Sequence, residues 1–237
     1  REKGRIKRYG HLGTGNYHPR TASLYTDFGL LTAEPRLCED MDKVFSQLTG
    51  LGSRRTLKEL LQSPFTLHDT VVSMIRAEAR AARAGKKSRI LVKLNSLLEP
   101  IVIQELYKAS QAGVKIDLII RGVCALRSGV PGLSENITVR SIIGRFLEHS
   151  RVFYFYNQGA ESVYLSSADW MDRNFFRRVE IAFPVLEATL KKRVIDEAFT
   201  FALRDNRQAW LQQPDGSYSR LTNRRALFKL HEHLMRK

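Results

Sequence analysis

Apolar and polar positions change their period several times along this chain, and each change marks an element. Ile6, Arg8 and Gly10 alternate with Lys7, Tyr9 and His11, the two faces of a strand over 6–11 behind a charged turn at Lys3-Gly4. Such a strand needs partners, so the expectation is a chain cut from a longer protein. Leu37, Met41, Val44, Phe45 and Leu48 then recur at helical spacing, which predicts a helix in the segment 36–51, ending at Gly50. A basic joint, Gly52-Ser53-Arg54-Arg55, and then Ser63-Pro64-Phe65 place a domain boundary nearby. Beyond it the pattern alternates in an α/β manner, with a helix over 67–84, a strand over 89–94, a helix over 100–112 and a strand over 114–121. The run 116–120 is rich in branched apolar residues, as a strand covered on both faces should be. Strands near 137–140, 151–156, 162–165 and 179–183 precede a long helix over 186–203. A hairpin around Pro214-Asp215-Gly216 and a closing helix over 223–235 complete the chain.

Composition narrows the reading further. The 237 residues have room for one large or two small domains, and 43% hydrophobic residues supply a core, which excludes a disordered basic tail. No apolar run approaches the roughly 18 to 20 residues needed to cross a bilayer. Cys38 and Cys124 have no C-x-x-C spacing, so neither a disulfide framework nor a thiolate zinc site is indicated and a reducing cytoplasm fits. The 39 Lys and Arg against 24 Asp and Glu leave a net charge of +15, which favours polyanions without choosing among nucleic acid, anionic lipid and polyphosphate.

Four local constellations carry chemistry. His11-Leu12-Gly13-Thr14-Gly15-Asn16-Tyr17 runs from a strand into a Gly-Thr-Gly turn, whose backbone N–H groups suit an anion, although taken alone it reads better as an ordinary glycine turn. In Ala22-Ser23-Leu24-Tyr25-Thr26-Asp27 an aromatic ring sits among polar groups, placed to stack on a base or to serve as a core tyrosine. Arg121-Gly122-Val123-Cys124 closes the most apolar strand, at the edge where open α/β sheets bind ligands, and a guanidinium fork there suits phosphate. In Phe146-Leu147-Glu148-His149-Ser150-Arg151 a histidine is followed two residues later by a cation on the same strand face. Ser166-Ser167-Ala168-Asp169-Trp170-Met171-Asp172-Arg173-Asn174 then supplies small hydroxyls and an amide across a hairpin. That order matches the layout of phospholipase D-like sites.

Taken in sequence, His11-Leu-Gly-Thr-Gly-Asn-Tyr, Tyr25-Thr-Asp-Phe-Gly-Leu-Leu-Thr-Ala, Arg121-Gly-Val-Cys, Phe146-Leu-Glu-His-Ser-Arg-Val and Ser166-Ser-Ala-Asp-Trp-Met-Asp-Arg-Asn closely resemble the C-terminal half of the polyphosphate kinase type 1 family. The resemblance implies an α/β fold of phospholipase D-like mixed sheets flanked by helices, with residues 1–59 the second half of a first domain and 60–237 a complete second domain. It implies reversible transfer of the terminal phosphate of ATP to inorganic polyphosphate through a phosphohistidine, with Mg2+ whose ligands are expected upstream or from substrate. Carried over residue by residue, it puts the adenine-contacting tyrosine at Tyr25, the nucleotide-phosphate arginine at Arg121 and the second active-site histidine at His149. The family's nucleophilic histidine lies in a Lys-x-His-Ala-Lys motif that this sequence lacks, and His11 belongs to the downstream Gly-Thr-Gly motif instead. The isolated chain is therefore expected to be inactive. A homo-oligomer and a cytoplasmic location, with or without membrane association, are further expectations. Two other readings stand beside this one. A phospholipase D-like phosphodiesterase is expected to carry Lys in place of Arg151 with an Asp nearby, and a non-catalytic module binding nucleic acid or other polyanions needs only the charge.

Overall fold

The computed structural model describes residues 2, 4, 6–50, 55–222 and 226–236. Lys3 of the predicted turn, residues 52–54 of the joint and the first three positions of the predicted closing helix lie outside the described residues. The first third of the chain holds β1 (Gly10–Gly13), α1 (Pro19–Ala22), β2 (Tyr25–Thr26), β3 (Gly29–Thr32), α2 (Pro35–Leu48), β4 (Leu61–Gln62) and α3 (Leu67–Arg83). Next come β5 (Arg89–Leu94), α4 (Pro100–Gln111), β6 (Lys115–Ile120), β7 (Ile137–Ile142), β8 (Leu147–Glu148), β9 (Arg151–Phe155) and β10 (Ser162–Ser166). The last part contains β11 (Ile181–Pro184), α5 (Ala188–Ile195), a π-helical turn (Asp196–Thr200), α6 (Phe201–Arg204), the hairpin β12 (Ala209–Gln212) and β13 (Tyr218–Arg220), and α7 (Leu230–Met235).

Nine strands form one mixed sheet in the order β13-β12-β7-β6-β5-β9-β10-β11-β4. β5, β6 and β7 run parallel, and every other pairing in the sheet is antiparallel. The two-residue period of a strand divides its side chains between two cores. Ile90, Val92, Ile116, Leu118, Phe153 and Phe155 point to the side covered by α3 and α4, where they meet Val71, Ile75, Val102 and Leu106. Leu91, Ile119, Val152 and Tyr154 point to the other side, where Leu37 of α2 and Val194, Ala198 and Phe199 of the α5–α6 stretch cover them. This is the mixed sheet flanked by helices that the sequence led us to expect.

Several boundaries differ from the sequence reading, each for a local reason. The strand predicted over 6–11 is realised at Gly10–Gly13, because its partner β3 pairs Gly10 with Thr32 and Gly13 with Gly29, while Ile6 and Tyr9 remain exposed. Gly10 lets Met41 of α2 pack against the strand, since a Cβ there would lie 2.4 Å from its Sδ and the methionine would have to shift. The long helix begins at Ala188, two residues later than predicted, because the Glu187 carboxylate accepts from the N–H groups of Thr189 and Leu190, both at 2.8 Å. The closing helix is shorter than its apolar pattern, Leu230–Met235, because the Asn206 side chain holds the Phe228 N–H at 2.9 Å and the Asp205 carboxylate caps Leu230 N at 2.8 Å.

Two small pairings, invisible to periodicity, determine how the first fifty residues meet the large sheet. β1 and β3 form an antiparallel ribbon, and β2 pairs in parallel with β8, Tyr25 opposite Leu147 and Thr26 opposite Glu148. The second pairing brings the Tyr25 segment to the histidine at the start of β9.

Candidate phosphate site at the strand ends

His149 lies in the connection between β8 and β9, held from two sides. Its backbone N–H donates to Thr26 Oγ1 at 3.2 Å, a consequence of the β2–β8 pairing. Its ring Nδ1 lies 2.9 and 3.0 Å from the two carboxylate oxygens of Asp27. A carboxylate only accepts, so Nδ1 carries the proton and Nε2 presents its lone pair. Arg151 Nη1, 3.3 Å from Nε2, is the donor that lone pair faces. The sequence reading placed His149 and Arg151 on one strand face, and the geometry agrees.

Each partner of the histidine is itself fixed. Asp27 accepts from the Thr14 hydroxyl at 2.6 Å, and a Cβ on Gly15 would sit 2.0 Å from an Asp27 oxygen, so a glycine is required beside that carboxylate. Arg151 donates to the Thr14 carbonyl at 3.1 Å and to Asp169 at 3.0 Å, while its Nε is buried without a partner among the described residues. Asp169 in turn accepts from Asn95 N at 2.6 Å and Ser96 N at 3.1 Å, at the end of β5. The Gly-Thr-Gly turn thus differs from the anion cradle first considered. Thr14 N–H donates to Phe28 O at 3.0 Å, and the glycine makes room for a carboxylate of the chain itself.

Arg121 is at the end of β6, as expected, and its Nε donates to Asn95 Oδ1 at 2.7 Å. The same Asn95 amide reaches the His149 carbonyl at 3.4 Å and Asp169 at 3.3 Å, so one side chain bridges the two predicted phosphate residues. Gly122 permits this approach, since a Cβ would lie 2.7 Å from the Asn95 carbonyl oxygen. Tyr25 places its ring centroid 4.8 Å from that of His149, tilted by 40°.

Two cavities flank the Tyr25–His149 contact. A polar cleft of about 240 Å3 is lined by Thr14, Asn16, His149, Arg151, Ser167, Asn174, the carboxylates Asp169 and Glu180 and the exposed arginines Arg173 and Arg178. Ser167 and Asn174 are steadied there by Glu180, the amide donating to it at 2.7 Å. A larger cavity of about 490 Å3 is lined by Tyr25, Thr26, Leu190, Val194 and, at its floor, Lys93, Glu148 and His231. Arg121 lines neither. Asp27, Asp169 and Asn95 took no role in the sequence reading. Asp27 and Asp169 stood inside the quoted motifs, and Asn95 follows a strand of the parallel set, where ligand-binding residues gather.

Among the described residues no group of three or more His, Cys, Asp and Glu side chains is placed to hold a metal ion. The carboxylates nearest the histidine are engaged, Asp27 by Thr14 and His149, Asp169 by Asn95, Ser96 and Arg151, and Glu180 by Ser167 and Asn174. Among the described residues this arrangement does not fit a magnesium ligand set.

Fold and site together define a mixed α/β protein with a histidine, held between a carboxylate and a guanidinium, facing a polar cleft at the strand ends. The family model described as polyphosphate kinase C-terminal domain 2 matches residues 60–229, and that described as polyphosphate kinase C-terminal domain 1 matches residues 1–54. The chain belongs to the polyphosphate kinase family. It is 66% identical over 218 residues to a polyphosphate kinase of Burkholderia ambifaria and 68% identical over 218 residues to that of Paraburkholderia phytofirmans. Each match covers 92% of this chain and 32% of the relative, so the chain spans about a third of the length of these curated relatives. The crystal structure of polyphosphate kinase from Porphyromonas gingivalis superimposes with a TM-score of 0.93 at 35% identity, over 97% of this chain and 35% of the other.

Proposed function

We propose that this chain forms the nucleotide- and phosphate-holding part of a kinase that moves the terminal phosphate of ATP onto inorganic polyphosphate, reversibly. The observation that carries the reading is the Asp27–His149–Arg151 arrangement, with the histidine ring between a charge-balancing carboxylate and a guanidinium, open to a polar cleft. Transfer of a phosphoryl group spreads negative charge over its equatorial oxygens, and preset donors stabilise that charge without reorganising. On this reading the phosphate enters the polar cleft beside His149, with Arg151 behind the ring and the exposed Arg173 and Arg178 at the mouth. The ring donates from Nε2 once it has taken up a proton, and Asp27 balances the imidazolium through Nδ1–H.

The base is assigned to the larger cavity beside Tyr25, which abuts the histidine and so suits a nucleotide whose phosphates point into the polar cleft. Arg121, coupled to the site through Asn95, is assigned to the phosphate tail. In the transfer itself the bond from the γ-phosphorus to its bridging oxygen breaks, ADP leaves, and a P–N bond forms to a histidine supplied by another part of the enzyme. A terminal oxygen of polyphosphate then displaces that nitrogen. The test is His149→Ala in the complete native protein, assayed for transfer of labelled phosphate from ATP to polymer. Loss of a transition-state donor lowers kcat by roughly 100- to 1,000-fold with a smaller change in the ATP constant. Wild-type turnover in that variant would remove His149 from the chemistry.

A further inference from the structure

Glu148 immediately precedes His149, and consecutive residues of an extended segment face opposite ways. As His149 turns to the polar cleft, Glu148 turns inward and is 4% exposed, beside Lys93 of β5, also 4% exposed, and His231 of α7, 1% exposed. The Lys93 ammonium is ion-paired with one carboxylate oxygen, and His231 Nε2 lies 2.6 Å from the other. His231 Nδ1 accepts the backbone N–H of Phe146 at 3.3 Å, so the ring proton is on Nε2 and is donated to Glu148. Gly144 makes the space, since a Cβ there would lie 2.5 Å from His231 Nδ1.

This second histidine grips the segment before His149 at two points. Phe146 is held by the His231 ring, Leu147 N–H donates to Leu24 O at 2.9 Å, Glu148 is held by Lys93 and His231, and His149 N–H is held by Thr26. α7 is anchored independently through Asp205, which caps Leu230 N and also accepts from Gln208 N at 2.6 Å. A continuous chain of contacts therefore reaches from the last helix to the residue adjoining His149.

We propose that His231, acting through Glu148 and with Lys93 as counter-charge, is a positioning residue that sets the depth and angle at which His149 meets the phosphate. The inference rests on the role assigned to His149 above. Removal of the ring frees the Phe146 N–H and one side of Glu148, and the 146–149 segment relaxes by a fraction of a side-chain length. Misplacement on that scale costs a reaction of this kind roughly 10- to 100-fold.

The experiment compares His231→Ala, His231→Gln and His149→Ala in the complete native protein, with kcat, the ATP constant and thermal melting measured for each. The expected result is a kcat lowered roughly 10- to 100-fold in His231→Ala, with the ATP constant, measured separately because His231 also lines the larger cavity, rising by a smaller factor than kcat falls. His231→Gln, whose amide retains one donor and one acceptor, recovers part of the loss. If His231→Ala does not fold, the same kcat-to-KM comparison in His231→Gln decides. Wild-type kcat in the variant that folds, or a loss that vanishes when the assay is run well below the melting temperature, would overturn the proposal and leave His231 a stability residue. An intact His149→Ala enzyme would instead overturn the underlying role of His149.

Discussion

Tyr25 stands where two demands meet, since its ring lies against His149 and also walls the larger cavity. Base stacking on an aromatic is worth roughly 1 to 3 kcal/mol, so Tyr25→Ala in the complete protein raises the apparent ATP constant by about one to two decades. Tyr25→Phe keeps the stacking surface and leaves that constant nearly unchanged. An ATP constant that does not move in Tyr25→Ala would take the ring out of the nucleotide site. Gly15 makes a sharper test of the histidine's support. A methyl group there meets the Asp27 carboxylate at 2.0 Å, so Gly15→Ala displaces Asp27 from His149. The expected outcome is a fall in kcat of about 10- to 100-fold with a smaller effect on the melting temperature, because the turn lies outside the nine-stranded sheet. The sequence displayed His149 and Arg151 as motif residues, but Asp27, which holds the histidine ring, and Thr14, whose carbonyl holds the arginine, are 122 and 137 positions away in sequence. Nothing in a local pattern announces a contact of that range.

Among elements, the central strands were readable because their chemistry is extreme. The run Ile116–Ile120 and the aromatic strand Arg151–Phe155 are buried on both sides, and continuous branched or aromatic runs have few other destinations. Two-residue strands such as β2 and β8 have no period to detect. The helix after β11 was readable as one unit, yet it passes through a π-helical turn at Asp196–Thr200 that apolar spacing does not resolve. The prediction at this scale concerns the core beneath the site. Phe153, 1% exposed, packs on the Trp170 ring at a centroid distance of 5.2 Å, and Trp170 precedes the helical turn carrying Arg173 and Asn174. Phe153→Ala opens a cavity there and costs about 3 to 5 kcal/mol, measured as a shift in the urea midpoint at constant slope. A loss under about 1 kcal/mol would mean that the surrounding side chains collapse into the gap.

At the scale of the whole molecule, charge acts in two ways. Arg76, hydrogen-bonded at 3.0 Å, holds the Glu105 carboxyl down to about 2, against the burial that would raise it and with help from Lys108. Burial alone would push the Glu148 carboxyl up, but the charge of Lys93 and the His231 hydrogen bond outweigh it and bring that group also to about 2. Both values lie below the unfolded-chain value, so the stability these groups contribute is complete above about pH 4.5 and is lost as the pH falls towards 2. Glu105→Gln removes one such proton uptake, and its melting temperature therefore falls less steeply across that window than the wild type's. An identical slope would refute the assignment. The net charge of +15 predicts that long-chain polyphosphate is retained at low ionic strength and released steeply as salt rises, as for other phosphate polymers held by Lys and Arg. Retention that ignores salt would point to contacts of another kind.

The bond from His149 N–H to Thr26 Oγ1 joins positions 123 apart along the chain, and the histidine–carboxylate contact closes a loop of nearly the same span. The loop entropy must be surrendered before either contact returns anything, whereas β5 and β6 pair across one helix. The pocket around His149 is therefore expected to assemble after the parallel strands and to open ahead of them. Amide hydrogens of Leu147 and His149 are expected to exchange with solvent through small openings, well ahead of those in Ile116–Ile120, whose release requires the whole sheet to unfold. A nucleotide seated between the two halves would close that gap, and slowed exchange at those two amides would report its arrival without any turnover at all.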